Sequence, residues 1–444
     1  MAGGYVDPIG KITAQEEAFY AHSAISLARG GDWLNPRFMG RLALPKPPLL
    51  VWTAALSARL LGITRLALRL PVVLLAALAI GLIFLWGAEM SGITAGASAA
   101  LLVLGNHLFH TLATLCMADA LLLAFTSAAV YALYADPWLE SRAALWGFAA
   151  ATAAAVFTRG IAGVVPLAVL GLYCLVARPN QRPTLSRAAL AAGLAIALSA
   201  PCLLATPIPD FSAAPPPQSA SEGPVLFYLL RLAATDPILF SGAIVAIPAF
   251  AGALRARNAG PALLACWLAL ATAATVICHY PSAACLLALV PALALVAACH
   301  GAFAERRHAS WMLAMVCAGL VAKAALPAAP WGLDYRAGTF NPVAPALSRY
   351  CETRRTAGLI VVDTADGLYA SLLPIPLRYA PSPGEFQALL RANPNSDFLI
   401  PESYRSVIAD TAHEYVFAAP GYGFLIARHP RETGAPRNPW TCHM

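Results

Sequence analysis

Long apolar runs separated by short polar connections make up most of the first three quarters of the chain. Several runs of about 17 to 20 residues carry no charged side chain, and a helix of that length crosses about 30 Å of hydrocarbon. The pattern therefore predicts an all-α polytopic membrane protein with about ten spans. The predicted spans lie at about residues 70–88, 93–110, 118–135, 142–158, 161–177, 188–206, 237–254, 260–278, 283–301 and 309–326.

The stretch from Ala14 to Leu50 mixes polar and apolar residues and precedes the first span. Its first part has the spacing of a helix, which we expect to end at Gly30-Gly31. Lys46-Pro47-Pro48 then precedes an apolar segment that runs to residue 61, and prolines are tolerated at the start of a helix. We predict an extracytoplasmic loop with interfacial helices over residues 1–64, followed by a multi-span domain over 65–328.

The composition changes near residue 329 to that of a soluble domain. Residues 358–363 and 398–401 are predicted to be buried strands, and residues 415–428 a hairpin around Pro420-Gly421. We therefore predict a small extracytoplasmic α/β domain over residues 329–444.

Composition argues against a soluble protein and against a nucleic-acid-binding protein. Hydrophobic side chains make up 59% of the chain and charged ones 11%, whereas soluble proteins are charged at about a quarter of positions. The mean hydropathy is +0.66. The net charge of +7 comes from arginines in short loops and forms no basic stripe, so we expect no nucleic-acid partner. Cys351 and Cys442 lie in the polar C-terminal part, where a disulfide is an open alternative.

Arginines in three connections set the predicted orientation, since cytoplasmic loops of membrane proteins are enriched in basic residues. They are Arg178, Arg182 and Arg187, then Arg255 and Arg257, and finally Arg306 and Arg307. The residue 14–46 loop, the Pro-rich connection 207–236 and the C-terminal domain then face the other side. This placement leaves no helix to carry the first loop across, so we expect a first helix to be missing from the start of the chain.

Polar residues that interrupt or flank the apolar runs gather on that same predicted face. Such residues are costly at membrane depth and are functional candidates. A carboxylate can act as general base towards a hydroxyl, while lysine and arginine can bind a phosphate. The candidates are Glu16, Glu17, Lys46, Asp119, Arg159, His279 and Tyr280.

Six short motifs together resemble the lipid-carrier-dependent glycosyltransferases of the GT-C superfamily, in particular the branch similar to the aminoarabinose lipid A transferase. The resemblance extends over about residues 14–300. The motifs are Glu16-Glu17-Ala18-Phe19-Tyr20, Gly31-Asp32-Trp33, Pro36-Arg37, Lys46-Pro47-Pro48-Leu49-Leu50, Met117-Ala118-Asp119 and Phe157-Thr158-Arg159-Gly160.

The resemblance implies a GT-C fold and an enzyme in the bacterial inner membrane, with its active site facing the periplasm. Its partners would be a polyprenyl-phosphate-linked sugar, often on undecaprenyl phosphate, a lipid or glycan acceptor, and membrane lipids. The implied catalytic residues are Glu16 and Asp119. The resemblance implies that Lys46 and Arg159 bind phosphate. We also predict substrate-binding roles for Glu17, Tyr20, Arg37, His279 and Tyr280.

A divalent metal ion is compatible with the resemblance, but the sequence does not establish one. His107 and His110 are three residues apart and are the weak metal-ligand candidates. The chain also departs from the family pattern, because Glu16 stands where Asp is usual and no clean K-x-P-x-Y motif precedes the late span. Two alternatives stay open: a transporter or flippase for lipid-linked sugars, and an inactive scaffold that binds them.

Overall fold

The computed structural model describes residues 15–38, 41–42, 47–205, 233, 236–256, 258–277, 287–300, 318, 359–362, 377–380, 383–402, 413–419 and 422–427. These residues form two compact units. The first unit contains the N-terminal helix, residues 51–70 and a C-terminal sheet. The second contains residues 47–50 and the helices between residues 71 and 300.

The first unit begins with α1 (Gln15–Ala28), followed by the short antiparallel strands β1 (Arg37–Phe38) and β2 (Arg41–Leu42). Helix α1 ends where predicted, since Gly30 has a φ of 101°, a value that glycine adopts without steric cost. Helix α2 (Leu49–Leu61) follows the Pro47-Pro48 pair. A helix is thus present where one was predicted, and it starts just after the prolines.

Ten helices follow α2 within the described residues up to residue 300. They are α3 (Arg65–Ser91), α4 (Ile93–Gly105), α5 (His107–Ala113), α6 (Ala118–Ala135), α7 (Arg142–Arg159), α8 (Val165–Val176), α9 (Leu185–Ala205), α10 (Pro237–Arg255), α11 (Ala259–Ile277) and α12 (Val290–His300). A 3₁₀ turn (Gly160–Val164) connects α7 to α8. Most of the predicted spans up to residue 300 correspond to these helices. The predicted span 93–110 is instead divided at Asn106 into α4 and α5, and α12 covers only the second part of the predicted span 283–301. Of the predicted span 309–326, only residue 318 is described.

Among the described residues, five segments are long and apolar enough to cross a membrane: Leu66–Ser91, Ala118–Ala135, Arg142–Val176, Leu185–Leu204 and Pro237–Arg255. Large apolar side chains on their outer faces stay exposed, for example Leu74 and Leu78 on α3. A soluble protein would bury such a row, whereas lipid covers it in a membrane protein. The predicted polytopic helical class is therefore confirmed.

Helix pairs hold the second unit together. Helix α7 packs on both α6 and α9. Helix α12 packs on both α4 and α10, and helix α8 packs on α11. The α3–α4 crossing is close because Gly87 and Gly96 face each other, and a Cβ on Gly96 would lie 2.4 Å from the Phe84 carbonyl oxygen. These contacts place the start of α6 and the end of α7 in one packed pair.

In the C-terminal sheet, the described residues form five strands in the order β4-β3-β5-β7-β6. They are β3 (Leu359–Val362), β4 (Leu377–Ala380), β5 (Asp397–Pro401), β6 (His413–Ala419) and β7 (Tyr422–Ala427). Strands β4, β3 and β5 are parallel, and β7 pairs antiparallel with β5 and β6. Helix α13 (Pro383–Ala392) packs Phe386 and Leu390 into the sheet core with Phe398. The predicted small α/β domain is confirmed.

Candidate active site

A buried ion pair involves the second glutamate of α1. The Arg69 guanidinium donates from Nε to Glu17 Oε1 at 2.6 Å and from its terminal Nη2 to Glu17 Oε2 at 2.7 Å. The Glu17 side chain is 1% exposed and that of Arg69 is 13% exposed. Both carboxylate oxygens predicted to bind substrate therefore contact Arg69, a residue that sequence reasoning missed.

The neighbouring candidates on α1 have different surroundings. Tyr20 is 2% exposed and packs its ring edge-to-face with Phe19 at a centroid distance of 5.6 Å. Glu16 lies in the first turn of α1, and its side chain lies outside the described part of the structure. The backbone thus places the predicted base one residue before the buried ion pair.

The Gly31-Asp32-Trp33 motif forms a fastened turn. Asp32 accepts hydrogen bonds from the Leu34 amide at 2.9 Å and from the Asn35 side-chain amide at 2.8 Å. The Trp52 indole N–H on α2 donates to the Trp33 carbonyl oxygen at 2.7 Å. A Cβ on residue 31 would lie 2.8 Å from the Ser26 carbonyl oxygen, so glycine is required there. The motif therefore fixes the connection between α1 and α2.

A second ion pair joins the start of α6 to the end of α7. The Arg159 guanidinium donates to Asp119 Oδ1, and the side chains are 33% and 6% exposed. Asp119 is the second residue of α6, where the capping position is occupied by Met117 without a side-chain cap. Two of the predicted site residues, 40 positions apart in sequence, are thus brought together.

The residue after Arg159 has an unusual backbone conformation. Gly160 has a φ of 60° and a ψ of −129°, values typical of glycine at the first central position of a type II′ turn. A Cβ on Gly160 would lie 3.6 Å from the Pro47 Cγ. The predicted Lys-Pro-Pro and Thr-Arg-Gly motifs therefore meet at this turn.

A buried polar pair that the sequence did not reveal connects two other helix starts. Asn106 Nδ2 donates to Asp236 Oδ2 at 3.1 Å, and the two residues are 1% and 3% exposed. Asn106 Oδ1 also accepts from the Phe109 amide at 2.9 Å, and Asp236 Oδ1 from the Leu239 amide at 3.2 Å. Each residue caps its own helix, α5 or α10, and holds the other. This pair anchors the residue that ends the Pro-rich 207–236 connection.

The electrostatics of α1 suppress charge on its histidine. Burial, with a further contribution from the positive charge of Arg29, lowers the pKa of His22 from 6.5 to about 4. His22 is therefore neutral near pH 7 and adds no positive charge to α1.

The described residues do not present a set of metal ligands. No group of three or more His, Cys, Asp or Glu side chains comes together within them. His110 is exposed on α5, and the His107 side chain lies outside the described part. Both carboxylate oxygens of Glu17 bind Arg69, and Asp119 Oδ1 binds Arg159.

The remaining candidates lie outside the described side chains. Lys46, His279 and Tyr280 are not among the described residues, and Arg37 is described only as backbone in β1. Cys351 and Cys442 also lie outside the described residues. Their predicted roles stay predictions.

Sequence comparison finds a known family over part of the chain. The sequence profile of the dolichyl-phosphate-mannose-protein mannosyltransferases matches residues 45–204. An uncharacterised protein of Aquifex aeolicus (strain VF5) is 28% identical over 167 residues, which cover 37% of this chain and 34% of that protein. The chain thus matches about a third of this relative's length.

Structure comparison covers nearly the whole chain. ArnT from Cupriavidus metallidurans in the apo state has a TM-score of 0.66 at 17% identity, over 92% of this chain and 93% of that chain. Its structure bound to undecaprenyl phosphate has a TM-score of 0.65, with the same identity and coverage. The archaeal oligosaccharyltransferase AglB from Archaeoglobus fulgidus, in complex with an inhibitory peptide and a dolichol-phosphate, has a TM-score of 0.52 at 12% identity, over 97% and 72% of the two chains.

The expected GT-C fold, similar to that of ArnT, is therefore confirmed. The chain is a multi-pass membrane protein with a small α/β domain.

Proposed function

We propose that the chain is an inner-membrane glycosyltransferase that transfers a sugar from a polyprenyl phosphate to a lipid or glycan acceptor on the periplasmic side. The observation that carries the proposal is the turn at Gly160, where the Asp119–Arg159 pair adjoins Pro47 of the Lys-Pro-Pro motif. Arg159 is partly exposed and precedes Gly160, which lies close to Pro47, and Lys46 directly precedes Pro47 in the sequence. An arginine and a lysine are both suited to bind a lipid-linked phosphate.

Arg159 has the geometry needed for that role. Its guanidinium contacts a buried carboxylate, yet a third of its side chain stays exposed. The Asp119 carboxylate orients the guanidinium, and an oriented cation loses little conformational freedom when an anion binds. Lys46 directly precedes Pro47 in the sequence, and we propose Lys46 as the second phosphate contact.

The reaction is a displacement at the anomeric carbon of the donor sugar. Glu16 accepts the proton of the acceptor hydroxyl, the oxygen of that hydroxyl forms a bond to the anomeric carbon, and the bond from that carbon to the phosphate oxygen breaks. The lipid phosphate leaves with an additional negative charge. Arg159 and Lys46 stabilise that charge as it develops, which is the interaction expected to lower the barrier most.

Asp119 acts as the second carboxylate of the site by holding Arg159. Tyr20, Arg37, His279 and Tyr280 are proposed to contact the substrates.

The test is sugar transfer by the purified protein in detergent. Labelled undecaprenyl-phosphate sugars, pentoses and hexoses, are supplied with a membrane extract as acceptor, and wild type is compared with Glu16→Gln. The matched control is Glu140→Gln, since Glu140 is exposed in the α6–α7 connection. We expect a labelled product from wild type and from the control but not from Glu16→Gln.

Two results would contradict the proposal. Equal transfer by wild type and Glu16→Gln would remove the base from Glu16. Donor binding by folded wild type without transfer would instead favour the transporter or the scaffold, and reconstitution in vesicles with a headgroup-accessibility assay would separate those two.

A further inference from the structure

The ion pair between Glu17 and Arg69 points to a device that positions the proposed base. We propose that Arg69, through Glu17, fixes the rotation of α1 and so places the Glu16 carboxylate for catalysis. The inference rests on the proposed function and assigns positioning roles to two residues that do not themselves contact the reacting atoms.

The geometry of the pair is restrictive. Two parallel N–H···O bonds of 2.6 and 2.7 Å join the flat guanidinium to the flat carboxylate. A bidentate pair of this kind fixes direction as well as distance, whereas a single contact leaves the side chains free to pivot. The carboxylate of Glu17 therefore has one orientation relative to the start of α3.

Stability alone does not account for such a pair. Removing two charges from water costs about as much as their attraction returns, and apolar side chains of similar volume often stabilise a protein equally well or better. The Glu17 side chain is 1% exposed, so its desolvation is nearly complete. A buried pair that adds little net stability can still select one geometry.

The adjacent position turns that geometry into a constraint on the base. Consecutive residues of an α-helix are about 100° apart around the axis, so fixing Glu17 fixes the direction in which Glu16 leaves α1. Tyr20, Ala21, Ala24 and Leu27 on the same helix are also buried. Apolar packing of buried side chains holds a helix in place, but it is less directional than a bidentate ion pair.

The sensitivity follows from the helix radius. A side chain ends about 5–6 Å from the axis of its helix, so a rotation of about 10° moves its tip by about 1 Å. A displacement of about 1 Å in a reacting group costs about 100-fold in rate. Loss of the bidentate contact between Arg69 and Glu17 should therefore lower kcat far more than it weakens donor binding.

The experiment compares Arg69→Lys, Arg69→Gln and the double variant Glu17→Gln with Arg69→Gln. Lysine keeps the charge but cannot form the fork, and the double variant removes both charges, so no buried ion is left unpaired. Arg59→Gln is the matched control, since Arg59 is exposed on α2. Each variant is assayed for kcat and KM with the labelled donor that wild type transfers, for thermal unfolding, and for hydrogen exchange of the amides of residues 15–20.

We expect all three variants to lower kcat about 100-fold, with KM for the donor within about threefold of wild type. We also expect the amides of α1 to exchange about tenfold faster, or more, than in wild type. The double variant should recover thermal stability without recovering kcat, which a purely structural pair would not do. Arg59→Gln should match wild type in every measurement.

The two proposals fail in different ways. A double variant that recovers both stability and kcat overturns the positioning role while wild-type transfer stands. Folded wild type without transfer overturns the proposed function, and hydrogen exchange then decides the rest: unchanged exchange of α1 in Arg69→Gln overturns the positioning role as well.

Discussion

Replacing Gly160 tests the backbone conformation of the turn that follows Arg159 in the second unit. Gly160→Ala places a Cβ on a residue with a φ of 60° and a ψ of −129°, which costs about 1–3 kcal/mol in backbone strain. The new methyl group would lie 3.6 Å from the Pro47 Cγ, an ordinary van der Waals distance. The whole effect should therefore come from the backbone and not from a steric clash.

Gly147→Ala is the control on the same helix. Gly147 lies inside α7, and a Cβ there would lie 3.8 Å from the Ala132 Cβ. Replacing an interior helical glycine by alanine stabilises a helix by about 0.5–1 kcal/mol. The two substitutions add the same methyl group only 13 residues apart, and they are expected to shift stability in opposite directions.

Thermal unfolding in detergent micelles, followed by tryptophan fluorescence, measures the difference. We expect Gly160→Ala to unfold below wild type and Gly147→Ala at or above it. Relaxation of the strained turn would displace Arg159, so the binding of undecaprenyl phosphate should also weaken in Gly160→Ala. A loss of about 1.4 kcal/mol in binding free energy would raise the Kd about tenfold. If Gly160→Ala unfolds at or above the midpoint of Gly147→Ala, the assigned backbone conformation is wrong.

Three further outcomes are expected. Asp119→Asn removes the charge that holds Arg159, so kcat should fall about 100-fold and stability by about 1–3 kcal/mol; unchanged transfer kinetics would contradict the role of this pair. Asp236→Ala removes the α10 cap and a buried hydrogen bond, and it should lower the unfolding midpoint more than Ser141→Ala, which removes only the cap of α7. His22, with a pKa of about 4 in the fold, binds its proton more readily when unfolded, so its contribution to stability should fall as pH decreases from about 6.5 to 4; a His22→Gln variant with the same pH dependence as wild type would refute this.

The hydrophobic pattern alone predicted most of the helical architecture. The predicted spans 118–135 and 237–254 correspond to α6 (Ala118–Ala135) and α10 (Pro237–Arg255). Such segments are readable because the length of an apolar run is set by the membrane and not by its neighbours in the fold. The end of α1 was equally local, since Gly30 itself supplies the required φ.

Two elements of the C-terminal domain were missed because their local sequence signals are weak. Strand β4 (Leu377–Ala380) is short and lies among prolines, and α13 (Pro383–Ala392) begins with one. A run of four residues has too few alternating positions to signal a strand. Pairing with β3 stabilises β4 in the sheet, and this partner is known only once the chain has folded.

The sequence by itself determined the class of protein, the places of its spans and the motifs that mark the proposed site, because each depends on a contiguous set of residues. Only the tertiary structure decided which polar groups pair. Arg69 meets Glu17 across 52 positions, Asn106 meets Asp236 across 130, and Arg159 meets Asp119 across 40. Such pairs depend on how helices pack, and a buried charge or amide finds its partner only when that packing brings the two side chains within about 3 Å.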